Sequence, residues 1–198
     1  MEPENLEIEQ LMDNGSDTLT REQSYSLKNS LRELLLVLLA GLLLAGGSMF
    51  FVRASLVRGR SMEPTLFDGD CILVQMAGYQ EPEYGDLVAI RARDREGKHL
   101  IKRIIAKGGD TVQIDFEGGL VFVNGQQLEE PYITETTHLE GDVRFPVTVP
   151  PDCFFVLGDN RNHSQDSRSS TLGCVPRSDI EGKAIFRFAP LERFGPIK

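Results

Sequence analysis

A serine on a constrained turn and a lysine inside an apolar run are the two residues of this chain best placed to do chemistry together. The serine is Ser61, in Gly59-Arg60-Ser61-Met62-Glu63-Pro64-Thr65-Leu66. A serine hydroxyl is a weak nucleophile unless a base lies beside it. The lysine is Lys102, in Leu100-Ile101-Lys102-Arg103-Ile104-Ile105. Alternate residues of a strand share a face, so Lys102 and Arg103 point opposite ways and one of them is expected to face the interior. A buried lysine loses the solvation that favours its charge, and its pKa can fall by ~3–5 units. The neutral amine can then take the serine proton. Ser-Lys is one variant of nucleophile-and-base logic and needs no histidine. Taken singly, a turn serine is more often a cap, and a strand lysine more often guards a sheet edge.

A third stretch, Gly158-Asp159-Asn160-Arg161-Asn162-His163-Ser164-Gln165-Asp166-Ser167-Arg168, is dense in hydrogen-bonding groups. It follows directly on the apolar run Phe154 to Leu157, which would deliver it to the end of a core strand. Ser164 can orient a lysine amine. Asp166 and Arg168 can form an ion pair that holds the loop, with a value that is geometric rather than energetic if exposed. His163 lies in the same loop and is the alternative base for Ser61. His99, His138 and His163 are not at metal-ligand spacing, so no metal and no cofactor is expected.

The elements that must position these groups are mostly strands. Cys71–Val74, Asp86–Ile90, Leu100–Ile105, Thr111–Ile114, Arg144–Val149, Phe154–Leu157 and Ile185–Phe188 are short apolar or β-branched runs broken by turns. Gly119–Val123 and Gln126–Leu128 flank Asn124-Gly125, which fits a type I′ hairpin turn. The expected fold is a mainly β, antiparallel-sheet domain over 54–198, with a small β insert over 115–151.

Ahead of it, residues 1–29 read as a flexible acidic tail. Residues 30–53 read as a transmembrane helix, opened by a capping box at Ser30 and Glu33 and uncharged from Leu34 to Val52. A helix of roughly 20 residues crosses the ~30 Å hydrocarbon layer. Arg21, Lys28 and Arg32 on one side nearly balance Arg53, Arg58 and Arg60 on the other, so charge alone does not orient the span. The net charge of −9 over 198 residues argues against a nucleic-acid binder. Three cysteines cannot all pair within the chain; Cys153 and Cys174 flank the polar loop and can pair in an oxidising compartment, the plainer reading being three buried thiols.

Ser61-Met62-Glu63-Pro64-Thr65, Lys102-Arg103 with Gly109-Asp110, and Gly158-Asp159-Asn160-Arg161 through Asp166-Ser167-Arg168 together resemble the sequence boxes of type I signal peptidases, in the same order and behind an N-terminal anchor. The resemblance covers about residues 30 to 190. It implies Ser61 as nucleophile, Lys102 as general base, Ser164 as the group that positions the lysine, and Asp159, Asp166, Arg168 and Arg103 as the residues that hold the site together. It implies a membrane-bound serine endopeptidase, with the N-terminus cytoplasmic or stromal and a mostly β catalytic domain on the opposite face. The substrates would be the signal peptides of exported preproteins, cut after small residues at the first and third positions before the bond. Membrane lipid is the other implied partner, and a monomer is expected. Met62 and Leu66 are candidate walls of the substrate pockets, with the peptide adding to a strand edge. The chain departs from the family at Ala106-Lys107-Gly108, where a Gly-hydrophobic-Pro stretch is common, and at Gly59, where some members carry a serine near the oxyanion. Two rivals are a self-cleaving repressor, which the anchor and the want of a DNA-binding helix pair disfavour, and a membrane-anchored β module that binds peptides without cutting them.

Overall fold

The computed structural model describes residues 32–41, 51–92 and 99–197. The chain divides into two units, Met1–Met49 and Phe50–Lys198. In the first, residues 32–41 are helical, a run shorter than a bilayer span. Ser30 and residues 42–50, on which the rest of the expected capping box and span fall, lie outside the described residues.

The second unit is mainly β. Its strands are β1 (Val52–Leu56), β2 (Cys71–Gln75), β3 (Leu87–Arg91), β4 (His99–Lys107), β5 (Thr111–Asp115), β6 (Leu120–Val123), β7 (Gln126–Gln127), β8 (Val147–Thr148), β9 (Cys153–Leu157), β10 (Val175–Pro176), β11 (Ile180–Ala189) and β12 (Gly195–Pro196). A large antiparallel sheet runs in the order β1-β2-β11-β3-β4-β9-β10, with β12 also paired to β11. A second sheet runs β7-β6-β5-β8. Its hairpin turn has Asn124 at φ 53° and Gly125 at φ 79°, the two positive angles a type I′ turn requires.

Three differences from the sequence reading matter for the site. Val52 and Arg53, expected at the end of a helix, instead begin β1 and pair with Gln75 and Val74. β-branched Val52 and the following residues gain a full ladder against β2 there, which outweighs continuation of the helical pattern. β11 is ten residues long and reaches back to Ile180, because it is central and pairs with β2 on one side and β3 on the other. Finally, Lys102 and Arg103 are both buried, at 2% and 3% exposure, where one was expected outside. Each finds polar partners of its own, so neither has to reach water.

One apolar cluster fixes the turn that carries Ser61. Val57, Met62 and Leu66 pack with Ile72 and Val74 of β2, Leu87 and Ala89 of β3, and Ala184 of β11. Fully burying a side chain of this size stabilises by roughly 1.5–3 kcal/mol. Leu66 is 0% exposed. It is therefore an anchor of the turn and not the pocket wall expected of it, since a group with no accessible surface cannot be touched by substrate.

Candidate active site

Ser61 sits at the start of a single tight turn, in which the Leu66 amide donates to the Met62 carbonyl at 2.8 Å. Gly59 precedes it at φ +88°, a left-handed conformation that favours glycine. The turn is held from below as well as by its apolar anchors. Arg187 Nη1 donates to the Thr65 carbonyl and to Asp70 Oδ2, both at 3.0 Å. Arg193 Nη2 donates to Asp70 Oδ1 at 2.6 Å. Burial pushes the Asp70 carboxyl up, but the Phe67 amide and the two arginines outweigh it and hold it below the usual range.

Strand β4 brings Lys102 to this turn. Its Nζ donates to Ser61 Oγ at 2.7 Å and to the Ile101 carbonyl at 3.0 Å. Burial drives the Lys102 pKa down from 10.5 to about 8; the carboxylates of Asp166 and Asp159 push it up, and Arg168 pushes it down. His163, the alternative base, is exposed. The amine at Ser61 Oγ is that of Lys102.

The polar loop after β9 surrounds the pair. Asp159 takes both prongs of Arg103, Nε at 2.9 Å and Nη2 at 2.7 Å, and the Thr65 hydroxyl at 2.5 Å. One carboxylate thus ties β4 to the nucleophile turn. The Asn160 amide donates to the Ser61 carbonyl at 3.0 Å, and Asn160 Nδ2 to the Arg60 carbonyl at 3.0 Å. Asp166 accepts from the Gly158 amide at 3.0 Å and pairs with Arg168 through two bonds of 2.9 Å. Arg168 then donates to the carbonyls of Leu139 and Arg161. This pair is buried, so the surface-pair value expected for it understates what is lost when one member is removed.

Ser164 packs against Gly158, but its Oγ is buried with no hydrogen-bond partner among the described residues. The bond to Lys102 expected of it is not made here. A Cβ on Gly158 would lie 2.1 Å from Ser164 Oγ and 2.5 Å from the Ser61 carbonyl oxygen. Gly158→Ala must therefore move the nucleophile turn. Since misplacing reacting groups by about 1 Å can cost 10²-fold, we expect kcat to fall by about 10²-fold with the far-UV circular dichroism unchanged; near-normal kcat would show that the turn can yield freely.

Sequence reasoning passed over several residues that the site uses. Arg161 is fully buried, beside Glu130 Oε1 at 2.5 Å, and donates to the Gly158 carbonyl and the Thr137 hydroxyl. Tyr132 lies under the Arg103 guanidinium, 3.9 Å from ring centre to Cζ. Apart from Gly158, their partners are 24 to 31 residues away, at separations where no local pattern reports contact. Thr65 and Asp70 lie in or just after the nucleophile run, and their side-chain types next to a turn were the available signal.

A cleft of about 630 Å³ opens at the pair, lined by Ser61, Met62 and Lys102 at one end and by residues of β1 and β4 along its length. Met62 is among the residues lining the cleft and Leu66 is not.

The chain is similar to known proteins over most of its length. The family described as "Signal peptidase, peptidase S26" matches residues 30–189. A signal peptidase I of Bacillus licheniformis is 37% identical over 187 residues, covering 87% of this chain and 96% of that one. A signal peptidase I of Leptolyngbya laminosa is 38% identical over 168 residues, covering 80% and 79%. A crystal structure of a signal peptidase I from Enterococcus faecalis, 28% identical, covers 52% of this chain and 97% of that one with a TM-score of 0.44. With a match over most of its length and relatives this similar end to end, the chain belongs to the signal peptidase family, peptidase S26, and is a serine-type endopeptidase.

Proposed function

We propose that Ser61 is the nucleophile and Lys102 the general base with which this signal peptidase removes signal peptides from preproteins. The 2.7 Å bond from Lys102 Nζ to Ser61 Oγ, made by a lysine at 2% exposure, supports it. The neutral amine takes the Ser61 proton as Oγ attacks the scissile carbonyl. Backbone amides such as that of Ser61 receive the oxyanion. The lysine returns the proton to the leaving amine, which departs with the mature protein. A water then repeats the sequence on the acyl-enzyme and releases the signal peptide. Asp159, Arg103, Asp166 and Arg168 position the pair. Ser164, whose hydroxyl makes no hydrogen bond among the described residues, is the group that orients the lysine.

The wider organisation is part of the same proposal. The peptidase domain runs from β1 to 198, with 115–151 as its small β insert. The chain is a monomer anchored by one transmembrane helix within 30–53 that ends before β1. Its N-terminus is cytoplasmic or stromal, and its domain lies on the other face against membrane lipid.

Only the neutral amine can accept a proton. The pH dependence of kcat/KM should therefore rise about tenfold per pH unit on the acid side and level off above about 8. The measurement is initial rates on a soluble preprotein peptide across pH 6 to 10, in detergent. A profile that does not level off near 8 would show that Lys102 is not the base.

A further inference from the structure

Among the described residues, four charged or titratable side chains from four strands cluster at the far end of the substrate cleft, three of them lining it. Arg53 comes from β1, Arg91 from β3, His99 from β4 and Glu181 from β11. All three potential cations converge on the one carboxylate. His99 Nδ1 lies 2.8 Å from Glu181 Oε2, Arg91 Nη2 3.2 Å from Oε1, and Arg53 Nη1 3.8 Å from Oε2. The Glu181 side chain is 9% exposed, whereas those of Arg53 and Arg91 are 53% and 67% exposed. Arg53, His99 and Glu181 line the same cleft as Ser61 and Lys102, and exposed Arg58 lines it too.

Among the described residues, two guanidiniums against one carboxylate leave an excess of positive charge at this end even with His99 neutral. Glu181 spends its oxygens on the cluster, while half-exposed Arg53 lines the cleft. Distance along the cleft follows from strand geometry. His99 precedes Lys102 by three residues on β4, so at 3.2–3.4 Å per residue the cluster begins about 10 Å from the dyad. An extended peptide with its scissile bond at Ser61 covers that distance in three residues.

We propose that Arg53 and His99, set by Glu181 with Arg91 against its other oxygen, form a polar subsite for the side chain four or five residues before the cut. It favours an acidic or hydrogen-bond-accepting side chain there and disfavours lysine or arginine. The inference rests on the signal-peptidase reading of the cleft, because that reading places the signal-peptide side of the substrate along β1 and β4. The subsite acts on binding and is remote from the reacting bond, so it changes KM and leaves kcat in place.

The test uses the full chain in zwitterionic detergent and peptides that carry alanine at the first and third positions before the cut. The fourth and fifth positions are aspartate, serine or lysine. The expected order of kcat/KM is aspartate over serine over lysine. The spread between aspartate and lysine should be about three- to tenfold, carried by KM, as befits partly exposed charges. Arg53→Gln should shrink the spread and Arg53→Glu should invert it. Glu181→Gln should widen it; if that variant does not fold, the exposed Arg53 pair of variants still decides. Equal kcat/KM for all three peptides, with normal cleavage of the serine peptide, overturns the subsite and leaves the peptidase intact. So does an Arg53→Glu enzyme that loses binding to anionic lipid vesicles but keeps the wild-type peptide order. Failure to cleave any of the three peptides overturns the peptidase reading and the subsite with it.

Discussion

Ser61→Ala and Lys102→Met are each expected to abolish cleavage, and Lys102→Met is expected to be more thermostable than the parent. Loss of a nucleophile or its base in enzymes of this logic lowers kcat by on the order of 10⁴- to 10⁶-fold. The two variants should fall to the same floor, because nucleophile and base act as one unit. The stability effect has a separate origin. The Lys102 pKa is lowered from 10.5 to about 8, with burial as the main cause. Below pH 8 the amine is charged in both folded and unfolded chains, and the folded chain carries that charge at a cost. One pKa unit is 1.36 kcal/mol, so at pH 7 the cost is on the order of 3 kcal/mol. Between pH 8 and 10.5 the unfolded chain binds more protons at this site than the folded one, so stability rises with pH across that window. Methionine fills similar volume without the charge. It should raise Tm by several degrees at pH 7 and remove the rise between pH 8 and 10.5. Preprotein cleavage with product termini read by mass spectrometry, beside thermal melts at both pH values, checks the two halves. Near-normal turnover by Lys102→Met would move the base elsewhere. An inactive Lys102→Met that is less stable than the parent would make the lysine structural.

Asp159→Ala is the second large effect, and it falls mainly on stability. Asp159 and Arg103 are both buried, with side chains 0% and 4% exposed. Removing the carboxylate leaves the guanidinium inside the protein with its principal counter-charge gone. Breaking a buried pair from one side costs about 3–5 kcal/mol. For a chain of this size that lowers Tm by roughly 6–20 °C. Tyr132 and the Gly85 carbonyl still face Arg103 and keep the loss from being larger. Catalysis suffers as well, because Thr65 loses the acceptor that ties the nucleophile turn to β4. Asp159→Asn separates charge from shape. The Asp159 charge holds the Lys102 pKa up, so its removal should move the acid limb of kcat/KM to lower pH while preserving much of the fold. A melt of Asp159→Ala within about 1 °C of the parent, with turnover retained, would show that the pair does not organise the site.

Local chemistry was legible in the chain itself. Asn124-Gly125 announced its hairpin because only residues tolerant of positive φ satisfy that turn, and strands β2, β3, β5 and β9 announced themselves by short apolar runs. Ser61, Lys102 and the polar loop were recognisable only together, because their three runs resemble the boxes of one family in the same order. What remained illegible is what depends on partners far along the chain. Ser61 and Lys102 meet across 41 residues. Lys102 and Arg103 are both buried because Asp159, 56 residues beyond Arg103, supplies the charge that makes the second burial tolerable. Leu66 became an anchor because β2, β3 and β11 close over it, which periodicity within its own run cannot report. β1 left the apolar run for the sheet because β2 offered it a ladder. Backbone preference and residue type act over a few positions and can be read in order. Burial and charge pairing are set by which distant strands come to lie side by side, and that was decided only when the chain folded.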